Sequence, residues 1–372
     1  MNWTDWRAAR PPTDVLHLDS AAFGRSSLAT LSATSQHALV EAELGGYVAE
    51  ERAEAHLAVL HRDVAGLLGT DEEGVAFVES ATAALEALLQ VWPLPPGATV
   101  GVAAAEWGPN LELLEHHGWT VELLPVDGAG LLALDELEAR LAGDPPDLVL
   151  VDQVAAHRGL VQPAEEVVAL GRAHGVPVWL DAAQAVGHVK VPVGADAVLA
   201  TSRKWLTGPR GVGILAVAEP HRTSLRVPRP AKRPDWPALR LLESEEAHVA
   251  GRVGLGVAVQ EHLALGADVV AARLAEVGGL VREAVGMLAG WEVVHPEAPA
   301  GSTTALVPVA GQDVVRNRAR LLAEHNILTS VCLPWRAPRE MTDGASPLLR
   351  LSPHVDLTAE DLERVCEALS VV

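Results

Sequence analysis

Cysteine is nearly missing from this chain: of its 372 residues, only Cys332 and Cys366 are cysteines. That excludes a disulfide framework and fits a reduced compartment. Tyrosine occurs once and phenylalanine twice, so the Ala- and Val-heavy composition points to a helix-rich α/β packing and away from a barrel of aromatic strands. No apolar run reaches the roughly 18 residues that a membrane-spanning helix requires. The opening stretch MNWTDWRAARPP has no signal-peptide core, so a cytoplasmic protein without membrane contact is expected. Basic charge is short as well: the formal net charge is −21. With no basic face to meet a phosphate backbone, nucleic acid is not an expected partner.

The scarcest cation is lysine. Lysine and arginine together number 28, yet only Lys190, Lys204 and Lys232 are lysines. Arginine serves a solvated surface as well as lysine does, but it cannot become a neutral amine. A lysine kept among arginines is therefore a candidate nucleophile. Lys204 stands in TSRKWLTGPRGVG (201–213), after an apolar run and before a glycine-rich turn.

Short apolar runs alternate with Ala/Leu/Glu-rich helical stretches from Leu67 to Ala218. Strands are expected at 74–80, 98–104, 120–126, 147–154, 176–182, 197–202 and 212–217. Helices are expected at 81–92, 110–118 and 163–175. This alternation predicts right-handed crossovers and a mostly parallel sheet covered on both faces. The stretch RTSLRVPRPAKRPDWP (222–237) reads as a domain boundary or an irregular flap. Beyond it, a long helical stretch from about Glu243 to Ala289 leads to strands at 304–309 and 348–352. A last helix at 358–370 has Thr358 as its cap and Asp361 three residues on.

Ligands of open α/β sheets bind at the carboxyl ends of strands, and four such ends carry chemistry. In FVESATAAL, Ser80, Ala81 and Thr82 open a helix, which suits a phosphate or is an ordinary cap. Asp181 ends VPVWLD and needs a cation, such as a protonated pyridine, unless it too is a cap. Trp107 follows a strand in AAAEWGPN; it either stacks on a planar ring or belongs to the core. Lys204 is the fourth. A phosphate cradle, an anion for a ring nitrogen, a stacking surface and an amine together suit one cofactor, pyridoxal 5′-phosphate.

These segments, with LHLDSAAFGRSS near the start and LLRLSPHVDLTAEDLERVCEAL near the end, resemble the class V aminotransferase family. The resemblance spans nearly the whole chain. It implies the α/β PLP-dependent transferase fold type I: an N-terminal arm at 1–14, a large PLP-binding α/β domain at 15–240 with a seven-stranded-type sheet, and a small C-terminal α/β domain at 241–372. It makes Lys204 the Schiff-base lysine and Asp181 the pyridinium partner, with Gln184 on the ring 3′-oxygen and Trp107 in the stacking place. Ala81, Thr82, Thr201 and Arg203 would hold the phosphate, and Arg350 the substrate α-carboxylate. A homodimer is implied, and no metal is called for.

Three positions depart from the family pattern. Arg203 stands where a histidine is common, Ala156 where an asparagine is common, and 245–256 lacks a threonine that lends a phosphate ligand to the neighbouring subunit. HLDSAAFGRSS, EAELGGYVAEE and TSRKWLTGPRGVG together resemble the branch that breaks carbon–sulfur bonds in an amino-acid-like sulfur substrate. A substrate with a quaternary ammonium group would favour aromatic faces. Tyr47, Trp335 and Arg336 are the candidates for that contact, although Tyr47 also reads as a packed loop residue. Two alternatives stay open. A cysteine desulfurase would use Cys332 as a nucleophile on a mobile loop, and a non-catalytic protein of this fold would bind cofactor without turnover. Cys366 falls mid-helix, in the core. His157 lies beside Ala156 and is not assigned to the catalytic set.

Overall fold

The computed structural model describes residues 3–227, 235–309, 312–342 and 344–372. Its strands run in chain order as β1 (Leu16–His17), β2 (Val75–Val78), β3 (Thr99–Val102), β4 (Thr120–Leu123), β5 (Leu148–Asp152), β6 (Val178–Asp181), β7 (Ala197–Thr201), β8 (Gly213–Val217), β9 (Trp291–Val293), β10 (Thr304–Pro308), β11 (Ile327–Leu328), β12 (Ser330–Cys332) and β13 (Leu348–Leu351). Seven of them form the large sheet, in the order β2-β8-β7-β6-β5-β3-β4. All its pairings are parallel except those of β8, which runs antiparallel to both β2 and β7.

Strands β2, β5, β6, β7 and β8 are buried at every residue, which explains why their sequences are near-continuous Val, Leu and Ala runs. Successive side chains point to opposite faces. Val149 and Val151 therefore join a layer with Leu60, Val64 and Leu68 of the helix Gly46–Leu68. Leu148 and Leu150 join Leu85, Leu88 and Leu114 on the other side. The mostly parallel, doubly covered sheet is as the alternating pattern predicts.

A second sheet, β12-β13-β10-β9, is antiparallel. It shares an apolar core with the helices Ala267–Gly286, Val314–His325 and Ala359–Val371. The last of these begins as expected, with Thr358 and Asp361 closing a capping box. The helical stretch expected from Glu243 to Ala289 consists of two helices, Val249–Leu265 and Ala267–Gly286. They are broken at Gly266, whose φ of 88° an L side chain rarely adopts.

Packing crosses the expected divisions in two places. Strand β1 pairs with β11, and Leu16 and Leu18 sit in the C-terminal core. Leu255 and Val259 of the helix Val249–Leu265 belong to the core of the large sheet. The stretch expected to be a boundary or flap is anchored at its start, where Arg222 holds Asp71 through a two-pronged ion pair of 2.7 and 2.6 Å. Its residues 228–234, Lys232 among them, lie outside the described residues. Among the described residues, no helix is long and apolar enough to cross a membrane.

Candidate active site

The chain leaves β3 for the edge strand β4 and then returns past β3 to β5. The carboxyl ends of β3 and β5 therefore open onto a crevice, the expected ligand position in such sheets. A cleft of about 550 Å³ lies there. It is lined by Ala81, Thr82, Trp107, Asp181, Gln184, Thr201, Arg203, Lys204, Trp335 and Arg336, so ten sequence-predicted residues converge on one space.

Each arrives for a local reason. Ser80 caps the helix Ala81–Val91 by accepting the Ala83 amide at 3.0 Å, while the Ala81 and Thr82 amides, in the first turn, have no intrahelical partner. Strand β8 comes close to this turn because residue 213 is glycine; a Cβ there would fall 2.3–2.6 Å from Ser80 backbone atoms. Gln184 is pinned from both ends: its amide nitrogen donates to the Ala21 carbonyl at 2.9 Å, and the Trp205 indole donates to its oxygen at 3.1 Å. Trp107 is the N-cap residue of the helix Gly108–His116 and stands on the cleft wall, outside the sheet's core layers. Its ring meets Trp335 edge-on at 5.3 Å. The Arg336 guanidinium carbon lies 5.5 Å from the Trp107 ring centre and 5.1 Å from that of Trp335.

The electrostatics are those of a reactive site. Burial drives the Lys204 amine down to about 7, helped by Arg203 and Arg350 and resisted by Asp181 and Asp152. A neutral amine is thus available near neutral pH. Asp181 accepts the Asn110 amide nitrogen at 2.8 Å and the Ala183 backbone amide at 2.9 Å.

Around Asp181 stand two acids that sequence reasoning missed: Asp152, its register partner on the neighbouring strand and itself a lining residue, and Glu106. Glu106 is fully buried, and it accepts Asn110 at 2.9 Å, the Trp107 amide at 3.1 Å and the Asp152 amide at 3.1 Å. Burial and then the charge of Asp181 raise Glu106 to about 8. The same two causes, with Glu106 added, raise Asp152 well above the carboxylate range. The signal was present in the sequence: Asp152 ends the apolar run DLVLVD as Asp181 ends VPVWLD, and Glu106 and Asn110 bracket Trp107 one helical turn apart.

Other predicted residues fall elsewhere. Arg350 is fully buried behind the lining, giving Nη1 to the Ala156 carbonyl at 2.5 Å and lying 3.4 Å from Asp19, with its Nε unpartnered. Ala156, in the asparagine's place, thus serves Arg350 through its backbone. Tyr47 does not enter the cleft of its own chain; it is 80% exposed, on the first turn of the helix Gly46–Leu68. His157 is buried against Glu340 at 3.2 Å. Cys332 is not on a loop: it sits in β12 facing Leu348 and is wholly buried among Ala305, Ala337 and Met341.

A sheet of this order with a lysine and an aspartate at neighbouring strand ends defines a pyridoxal-phosphate-type enzyme fold. The chain belongs to the aminotransferase class-V family, whose pattern it matches over residues 17–365. It is 46% identical, over 98% of its own length and 92% of the other's, to the probable hercynylcysteine sulfoxide lyase of Mycobacterium tuberculosis. It is 29% identical to a cysteine desulfurase of Dickeya dadantii over 74% of this chain and 72% of that one. The fold matches that of a cysteine desulfurase from Thermococcus onnurineus NA1 with a TM-score of 0.86, over 99% of this chain and 97% of that one at 20% identity.

Proposed function

We propose that this protein is a pyridoxal 5′-phosphate-dependent carbon–sulfur lyase that cleaves hercynylcysteine sulfoxide by β-elimination, releasing pyruvate, ammonia and the sulfenate precursor of ergothioneine. The observation that carries the reading is the convergence of Lys204, held near neutrality, with Asp181, Gln184, Trp107 and an open helix start in one cleft. Its nearly full-length likeness to a probable lyase for that substrate supports the choice within the family.

The residues present fit the cofactor. Lys204 would carry it and Asp181 would pair with its ring nitrogen. Trp107 would stack on the ring, Gln184 would reach the 3′-oxygen, and Ala81, Thr82, Thr201 and Arg203 would hold the phosphate. Once bound, the cofactor supplies an electron sink for the bond-breaking at the substrate's Cα and Cβ. Lys204 Nζ, about half deprotonated near its pKa of about 7, takes the Cα proton. Arg350, behind the lining, would be the group for the α-carboxylate, and its unpartnered Nε is the donor left for it. Trp335 and Arg336 line the substrate end, where an indole face suits the trimethylammonium group and a guanidinium suits the sulfoxide oxygen.

The desulfurase alternative lacks its nucleophile, because Cys332 is sealed inside β12. We further infer a cytoplasmic homodimer. Leu28, Leu31, Leu39, Tyr47 and Val48 leave an exposed apolar face on two adjoining helices, and from that face the Tyr47 of a second copy would reach a substrate.

The test is a pyruvate-release assay on protein purified with pyridoxal 5′-phosphate, comparing hercynylcysteine sulfoxide with L-cysteine, for wild type and Lys204→Ala. Pyruvate from the sulfoxide alone, lost in the variant, is the expected result. Alanine and sulfide from cysteine would overturn the reading.

A further inference from the structure

Arg210 has no place in the assignments above, yet it lines the cleft at the end formed by Glu79, Ser80, Ala81 and Thr82. Three residues later Gly213 packs directly on the Ser80 backbone, and Thr201 pairs with Gly213 across the sheet. The turn carrying Arg210 is thereby fixed beside the helix start. Its guanidinium lies 5.4 Å from the Phe23 ring centre, and among the described residues no carboxylate pairs with it. It is close enough to Arg203 to help lower the pKa of that guanidinium.

Two like charges, Arg203 and Arg210, face one space and mark a place for an anion; Glu79, Asp152 and Asp181 also line the cleft. A phosphate monoester near neutral pH carries between −1.5 and −2, more than Arg203 alone can offset. Arg203 is also partly committed, since its Nη1 donates to the Ala22 carbonyl.

We propose that Arg210 is a phosphate ligand of the cofactor, supplied from within the same chain and acting with Arg203 across the helix start of Ala81. The proposal rests on the cofactor reading and extends it to a residue outside the resemblance. It also accounts for the missing threonine in 245–256: a guanidinium on the glycine-rich turn supplies locally what that segment would lend to a neighbouring subunit.

The test is equilibrium binding to the cofactor-free protein, followed by tryptophan fluorescence, of pyridoxal 5′-phosphate and of pyridoxal, which lacks the phosphate. Arg210→Ala is expected to weaken pyridoxal 5′-phosphate by about 10- to 100-fold, the range of a charge-assisted contact, and pyridoxal by less than about 2-fold. Arg210→Lys, which keeps the charge, is expected to recover part of the loss. Inorganic phosphate should compete with the cofactor less well in Arg210→Ala than in wild type. Equal losses for both ligands would mean that the residue shapes the cleft without touching phosphate. Unchanged cofactor binding, with only KM for the sulfur substrate raised, would move Arg210 to the substrate. Either result would overturn the proposal, and pyridoxal binding itself shows that the variant is folded.

Discussion

Among the described residues the candidate site is set against a larger hollow that holds none of the proposed chemistry. A groove of about 800 Å³ runs under the N-terminal arm, between Trp6, Arg7, Arg10 and the C-terminal residues Asp356, Asp361 and Arg364. Most of its charges are already paired. Arg7 bonds Asp356 at 3.0 Å and also holds Asp361. Arg10 donates to the Trp6 and Arg25 carbonyls, and Arg364 to that of His325 at 2.5 Å. The buried atoms left unpartnered there are neutral: Ser20 Oγ and Nδ1 of His354, which burial lowers to about 3.

The smaller cleft inverts this. Three carboxyl groups, Glu106, Asp152 and Asp181, crowd one wall, two guanidinium groups face one end, and a lysine is pushed toward neutrality between them. Size does not select a site here; a crowd of buried acids beside an amine near neutrality does.

The contrast can be broken at several points. The largest effect is expected from Lys204→Ala, which should cut pyruvate release by more than about 10³-fold, measured by coupled reduction of the pyruvate formed. Next comes Glu106→Gln in cofactor-free protein. In the native state Glu106 keeps its proton to about 8, while the unfolded chain releases it near 4.5. The native state then binds more protons in that window, so Glu106 makes stability fall as pH rises through it. In the variant residue 106 cannot titrate there, whereas Asp152, raised by burial and the charge of Asp181, still can. Denaturant unfolding from pH 5 to 8 should show wild type losing more stability than the variant, by a difference on the order of a few kcal/mol. Parallel curves would mean that Glu106 is ionised in the native state.

Smaller effects sharpen the difference. Arg336→Ala should raise KM about 5- to 10-fold with kcat little changed, as loss of a roughly 1 kcal/mol contact predicts. Steady-state kinetics with hercynylcysteine sulfoxide would show it, and a fall in kcat alone would place Arg336 in the chemical step. In the groove, Arg7→Ala should leave kcat and KM unchanged and cost no more than about 1 kcal/mol, the range of partly exposed ion pairs, as read from a urea melt.

Much of this was legible in the sequence. Short apolar runs located the seven strands of the large sheet, most clearly those buried along their whole length, which are written as unbroken apolar runs. The scarcity of lysine singled out Lys204, and acids ending apolar runs singled out Asp181. What escaped notice depended on distant partners. Strands β1, β11 and β12 have two or three residues each and exist because a remote segment pairs with them. Glu106 could not be seen as part of the site until Asn110 was placed between it and Asp181. Tyr47 was drawn to the cleft by its rarity, and the structure sets it facing outward.

One close approach has a consequence for how such a site can change over generations. A Cβ added to Gly108 would fall 2.0 Å from the Trp335 carbonyl oxygen, so the substrate wall rests on the backbone next to Trp107 with no slack. Insertions or longer loops around 334–336 would push on Trp107, the residue proposed to stack on the cofactor. New substrate preferences are therefore open to this lineage by exchanging side chains at 335 and 336 one at a time. Remodelling the loop is closed to it unless Gly108 and its helix move in the same step.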